Sequence, residues 1–198
     1  MMMARVFSFL LLLVAFPIML LIGLAIKMEY PGPIFYLQKR EGKNGVPFFI
    51  WKLRTMVVNA DVVLAQIIKG DPEKAREWQE FGCLQNDPRV AGLTARLVRQ
   101  LSIDEVPQLI NIFKGEMTFI GPRPLEMYLA ESLDTNARSF RNAVRPGLTG
   151  LWQVGPRSDV SIRQMQFYDR YYIKKKSFLL DTYIIYKTAQ VILKRTGN

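Results

Sequence analysis

The chain has 198 residues, 49% of them hydrophobic, a formal net charge of +10, no histidine and one cysteine, Cys83. The absence of histidine excludes serine–histidine triads, histidine bases and histidine-rich metal sites, and a single cysteine excludes an internal disulfide or a cysteine zinc cluster. The length suits one compact domain plus a membrane element, and the charge asks for an anionic partner: nucleic acid, acidic lipid or a phosphorylated substrate.

From Val6 to Ile26 the chain carries no charge, a run long enough to cross a bilayer and longer than the core of a signal peptide. No small-residue cleavage pattern follows, so the run is expected to stay in the mature protein. Pro17, near its middle, removes a backbone donor and favours a kink. Two geometries stay open. A spanning helix is the default from hydropathy. A helix-break-helix that enters and leaves by one face keeps Arg5, Lys27 and the basic remainder together, but protein must then satisfy the freed backbone groups. Pro31-Gly32-Pro33 ends the run and divides the chain into a membrane-embedded part, 1–30, and a second part, 31–198.

Ile34 to Lys39 and Pro47 to Leu53 read as two strands around the hairpin-type turn Glu41-Gly42-Lys43-Asn44-Gly45. Lys39, Arg40, Lys43, Lys52 and Arg54 are interleaved with Phe35, Tyr36, Phe48, Phe49 and Trp51. Such a mixture suits single-stranded nucleic acid, but beside a membrane segment it marks the headgroup level, and the lipid reading is preferred. Lys52 and Arg54 alternate on one strand face, where both can meet a phosphate. Helices are expected over 59–70 and 72–81, the second ended by Gly82, and over 93–101, carrying Arg96 and Arg99 towards the stretch that follows.

That stretch, Arg99 to Pro124, places Asp104 and Glu105 side by side and returns one short helix later with Gly121-Pro122-Arg123-Pro124. Ser102 followed by Glu105 reads as a capping box, which sets the carboxylates at a helix amino end. Acidic residues in a first turn are ordinarily stabilisers. Here Arg99, Lys114 and Arg123 accompany them, and cations, helix end and paired carboxylates together suit a magnesium ion with phosphate oxygens. Further on, 125–133 is expected to be helical. Arg138, Arg141 and Arg145 lead into the glycine-broken Pro146-Gly147-Leu148-Thr149-Gly150-Leu151-Trp152-Gln153. Helices follow over 161–172 and 178–193, the last equally suited to the membrane surface or to the core.

These motifs together resemble the bacterial sugar transferases, monotopic phosphoglycosyl transferases that act on polyprenol phosphate. The resemblance rests on the proline-broken apolar helix, Pro31-Gly32-Pro33, Lys52-Leu53-Arg54-Thr55-Met56, Asp87-Pro88-Arg89, Asp104-Glu105, Gly121-Pro122-Arg123-Pro124, Arg145-Pro146-Gly147-Leu148-Thr149-Gly150 and the segment from Asp169 to Asp181. In one departure, Phe16 stands before the proline where the family often has serine. The chain resembles the catalytic core, without the extra membrane-spanning region of longer relatives.

The resemblance implies an α+β, mainly helical fold with a re-entrant membrane helix, a small hairpin and a helical catalytic domain resting on the cytoplasmic face of the bacterial inner membrane. It also implies transfer of a sugar phosphate from a nucleotide diphosphate sugar to undecaprenyl phosphate, with release of UMP. Asp104 would be the nucleophile and form a covalent phosphosugar intermediate. Glu105 would hold Mg2+ with it or assist the acceptor. Arg99 and Arg123 would clamp phosphate, with Lys52, Arg54, Arg145 and Arg157 behind them, while Pro122 and Pro124 stiffen the nucleotide loop. Nucleic acid is not an expected partner. The alternatives are a membrane-anchored metal-dependent phosphohydrolase and a non-enzymatic basic membrane or nucleic-acid-binding module, which leaves the acidic pair unexplained. The sugar, the pathway and the oligomeric state are not specified by residue types.

Overall fold

The computed structural model describes residues 2–155 and 161–194. It is mainly helical with two small two-stranded sheets. Helix α1, Met2–Glu29, turns a stripe of Ala4, Ser8, Leu12, Ala15, Met19, Gly23 and Ile26 inward at spacings of three and four, the period of one helix face. Met19 and Ile26 pack there with Leu53, Ala91, Ala95 and Val98. The opposite face stays apolar and exposed through Val6, Leu10, Leu13, Val14 and Leu21. No break in helical structure appears at Pro17; a proline deletes one backbone bond and the intact turns on either side carry the helix through.

Both ends of α1 touch the same body. Near its start, Arg5 donates to the Lys114 carbonyl at 3.0 Å and Phe7 and Phe9 meet Phe119 and Phe113. At its end the Glu29 carboxylate accepts the Thr94 N–H at 3.1 Å and also bonds the Thr94 hydroxyl.

The expected hairpin forms: β1, Phe35–Glu41, pairs antiparallel with β2, Pro47–Leu53, and Tyr36 faces Lys52 across the register. Asn44 and Gly45, both at positive φ, make the turn. Phe48 and Ile50 of β2 pack on Leu109 and Ile112 of α5, Leu109–Lys114. The other edge of β2 is closed by a side chain. Asn111 accepts from the Trp51 N–H at 3.1 Å and donates to the Phe49 carbonyl and to Glu116, each at 2.7 Å. A buried amide bonded three times locks α5 to the strand.

Helices α2, Ala60–Gly70, and α3, Pro72–Phe81, lie where the sequence places them, and Gly82 at φ 67° caps α3. Helix α4 is Gly92–Gln100. A feature absent from the sequence reading is a parallel pair, β3 Thr118–Ile120 with β4 Gly147–Thr149. The two chains approach so closely that a Cβ on Gly121 would lie 2.8 Å from the Arg145 carbonyl, so that only glycine fits. Three short helices follow along the chain: α6, Met127–Ser132, α7, Thr135–Asn142, and α8, Leu151–Val154. Of the last two helices, α9 is Ile162–Lys175 and α10 Phe178–Leu193. Helix α10 packs Leu180 and Ile184 inward against Val154 and Tyr172 and leaves Phe178, Leu179, Tyr186 and Leu193 exposed, so it has both a packing face and an apolar outer face.

Candidate active site

Asp104 and Glu105 lie in a 3-10 turn, Ile103–Gln108, with Pro107 inside it. The capping box expected at Ser102 is absent: Ser102 takes left-handed backbone at φ 56° and makes no cap bond. The Glu105 side chain has another use. Its Oε1 receives Lys52 Nζ at 3.0 Å and an Arg123 guanidinium nitrogen at 3.1 Å. Two half-buried cations outcompete one backbone N–H for a carboxylate.

The two carboxyls are driven apart electrostatically. Asp104 is 7% exposed and makes no hydrogen bond or ion pair among the described residues. Burial, with the Glu105 charge beside it, pushes its carboxyl up to about 6 against the pull of Lys52, Arg99 and Arg123. Burial also acts to raise Glu105, but Arg123 and Lys52 outweigh it and hold the carboxyl well below its usual range. Burial pulls the Lys52 ammonium down, whereas Glu105 keeps Arg123 firmly charged. Opposite displacement of neighbouring carboxyls is a mark of functional sites.

The Gly121–Pro124 loop is fixed at each residue. Gly121 N–H bonds Thr149 O at 2.9 Å, Pro122 O accepts Gly147 N–H at 2.8 Å, Arg123 O accepts Arg141 at 2.5 Å and Pro124 O accepts Arg40 at 3.2 Å. Arg141 is itself ion-paired to Asp169. The Arg123 guanidinium also sits 6.0 Å from the Trp152 ring centre.

Of the other sequence candidates, Arg99 comes to the dyad, close enough to lower Asp104, with its guanidinium 3.5 Å from the Thr55 hydroxyl. Arg54 is not brought there. It donates to the carbonyls of Tyr30, Pro33 and Met56 at 2.6, 2.6 and 3.2 Å. Prolines in that turn supply no donors, and the guanidinium fork satisfies the carbonyls instead. Arg145 donates to the Gly115 carbonyl at 2.9 Å, beyond the far end of α5. Arg96 is exposed on α4, and Arg157 lies outside the described residues. Sequence reasoning gave no site role to Arg40 and Glu126, ion-paired at 2.8 Å next to the Pro124 carbonyl, to Arg141 with Asp169, or to Asn111. A polar residue inside an apolar run such as Leu109-Ile110-Asn111-Ile112 is the signal that was available for the last.

The donor set can be tested against a divalent cation. Among the described residues no group of three or more acidic or thiol ligands exists. Mg2+ uses one or two carboxylates and completes its shell with water and substrate phosphate. The unbonded Asp104 carboxylate and the Glu105 oxygen not used by Lys52 and Arg123 fit that requirement.

A family profile described as bacterial sugar transferase matches residues 1–195. The chain belongs to that family. Among its members, the exopolysaccharide production protein ExoY of Sinorhizobium fredii is 40% identical over 182 residues, covering 92% of this chain and 80% of that protein. The undecaprenyl-phosphate galactose phosphotransferase of Salmonella typhimurium is 36% identical over 190 residues, covering 96% of this chain and 39% of that protein. The UDP-glucose:undecaprenyl-phosphate glucose-1-phosphate transferase of Caulobacter vibrioides is 36% identical over 187 residues, with 89% of this chain and 63% of that protein covered. The chain therefore spans less than two thirds of the last two relatives.

Proposed function

We propose that the chain is a phosphoglycosyl transferase that moves a sugar phosphate from a UDP-sugar to undecaprenyl phosphate, giving undecaprenyl-diphosphate-sugar and UMP. The observation that carries this reading is the state of Asp104: buried and unbonded, beside a Glu105 already tied to Lys52 and Arg123. The names of the relatives in Salmonella and Caulobacter support the acceptor, and the latter supports a UDP donor.

On this reading an ionised Asp104 oxygen attacks the phosphorus that bears the sugar. The bridging oxygen leaves with its electron pair as UMP, and the sugar phosphate stays on the aspartyl oxygen. An oxygen of undecaprenyl phosphate then attacks the same phosphorus and expels the Asp104 carboxylate unchanged. A carboxyl at about 6 is largely ionised at neutral pH, so no base is needed for the first step. Arg123 and Arg99 orient phosphate oxygens and stabilise charge as it develops. Lys52 shares Glu105 with Arg123 and fixes the clamp. Mg2+, if held by Asp104 and Glu105, neutralises charge on the diphosphate.

The packing of α1 supports a membrane mode that keeps the chain on one side. A helix of 28 residues is about 42 Å long, more than the roughly 30 Å hydrocarbon core. Because its two ends touch one body, a straight crossing would carry Phe113 and Phe119 to the opposite leaflet. We therefore place residues 1–30 in the cytoplasmic leaflet and 31–198 on its headgroup layer, where a soluble nucleotide sugar and a lipid phosphate meet. The test is UMP release from a UDP-sugar panel with undecaprenyl phosphate and magnesium. Release dependent on the lipid and yielding a lipid-linked diphosphate sugar is expected. Free sugar phosphate formed without lipid would replace this reading with a phosphohydrolase.

A further inference from the structure

Outside the inner charges lies a second layer to which the reaction above gives no role. On β1, Tyr36 and Arg40 share the face from which Lys52, the cross-strand partner of Tyr36, reaches Glu105. Arg40 is buried and joins this face to Glu126 at 2.8 Å and to the Pro124 carbonyl at 3.2 Å. Two residues beyond Glu126, Tyr128 lies in the first turn of α6. Its ring stacks on Trp78 of α3 with centroids 6.3 Å apart and planes at 21°. Arg89 lies 5.2 Å from the Trp78 centroid and is held in turn by a bidentate ion pair with Asp87, Nε to Oδ1 and a terminal nitrogen to Oδ2. Trp78 is thus fixed by its neighbours, while Tyr128 remains 44% exposed and Tyr36 41%.

Tyr128 is joined to the Arg123 loop through Glu126 and Arg40, which meets the Pro124 carbonyl, and Tyr36 to Glu105 through its cross-strand partner Lys52. Both tyrosines therefore stand outside the carboxylate pair.

We propose that the Tyr128 ring, backed by Trp78, is the stacking platform for the nucleobase of the donor, with Tyr36 also on its rim. The inference rests on the functional reading above. In a nucleotide diphosphate sugar attacked by Asp104, the sugar is attached to the reacting phosphorus and belongs to the inner layer. The base lies a phosphate and a ribose further away. An exposed aromatic ring on a rigid stack suits a flat base.

The test uses the full chain in detergent with Tyr128→Ala and Tyr128→Phe, and measures affinity for UMP and for pyrophosphate with the kcat and KM of the best UDP-sugar. Tyr128→Ala is expected to weaken UMP about 10- to 100-fold, the range that one base stack supplies. It should raise KM with little change in kcat and leave pyrophosphate binding as in the parent protein. Tyr128→Phe should retain UMP binding. Equal losses of UMP and pyrophosphate would mean a structural role and overturn the proposal. Unchanged UMP binding, or a loss confined to the sugar-bearing donor, would also overturn it. Should the unaltered protein bind neither UMP nor any UDP-sugar, the functional reading itself falls. If it forms an adduct on Asp104 and Tyr128→Ala does so with the same KM, only the base platform falls.

Discussion

Two stretches of this chain carry the same four-residue signature, and the fold uses them in opposite ways. At Ser161-Ile162-Arg163-Gln164 the serine hydroxyl accepts the Gln164 N–H at 3.3 Å, Gln164 Oε1 accepts the Ser161 N–H at 3.1 Å, and a 14-residue helix follows. At Ser102-Ile103-Asp104-Glu105 the serine is left-handed, no cap bond forms, and a six-residue 3-10 turn follows. The difference lies outside both segments. Among the described residues no cation bonds Gln164, while Glu105 meets Lys52 from β2 and Arg123 from the loop after β3. A local signature describes what a segment does alone; burial beside fixed charges decides what it does in the fold.

Mutations at the two stretches should separate accordingly, the largest effect being at Asp104. Asp104→Asn is expected to reduce turnover by about 1000-fold or more, as loss of a nucleophile does, and at the same time to stabilise the protein. Keeping a buried carboxyl at about 6 instead of 3.8 costs about 3 kcal/mol when it is ionised. The sign follows from the raised pKa: the folded chain binds this proton more tightly, so the parent protein loses stability as pH rises from about 4 through 6. Thermal unfolding of parent and variant at pH 5 and pH 8 checks this, with the larger gain in Tm expected at pH 8. Initial rates of UMP release by the parent protein should fall as pH drops through about 6, as Asp104 takes up its proton.

Glu105→Gln should come next. It leaves Lys52 and Arg123 beside a neutral amide, with an expected loss of about 3 kcal/mol or more of stability and about 100-fold in rate. Its stability change has the opposite pH sign, because the ion pairs of the lowered carboxyl contribute above its usual range and are lost as pH falls. Denaturant unfolding against pH separates the two residues. The smallest effects belong to the serines. Ser161→Ala should cost about 1 kcal/mol with no change in kcat, while Ser102→Gly should be neutral or mildly stabilising, since glycine accepts a φ of 56°.

Much of the fold was legible because local chemistry and tertiary context agree. The hairpin, α3 with its Gly82 cap and α10 appear at or near their expected limits, each marked by period, turn residues or a glycine. The β3–β4 pair was not legible: three-residue strands 29 positions apart carry no period of their own, and only the glycines that allow their approach hint at it. At the site, sequence pointed to the dyad, Arg99 and Arg123, which the fold brings together. It gave Arg54 the same standing as Lys52 because strand alternation puts both on one face, yet β2 ends at Leu53 and the backbone turns. Arg54 then answers the carbonyls that a Pro-Gly-Pro turn leaves without donors.

Covalent capture on Asp104 is the most direct test of the central claim. The intact protein in detergent, with magnesium and a panel of UDP-sugars but no lipid, is examined by mass spectrometry beside Asp104→Asn. The account predicts a mass increase of one phosphosugar with UMP release, removed by undecaprenyl phosphate and absent from the variant. An adduct retained in Asp104→Asn, or lipid-linked product formed at the parent rate by that variant, would contradict it.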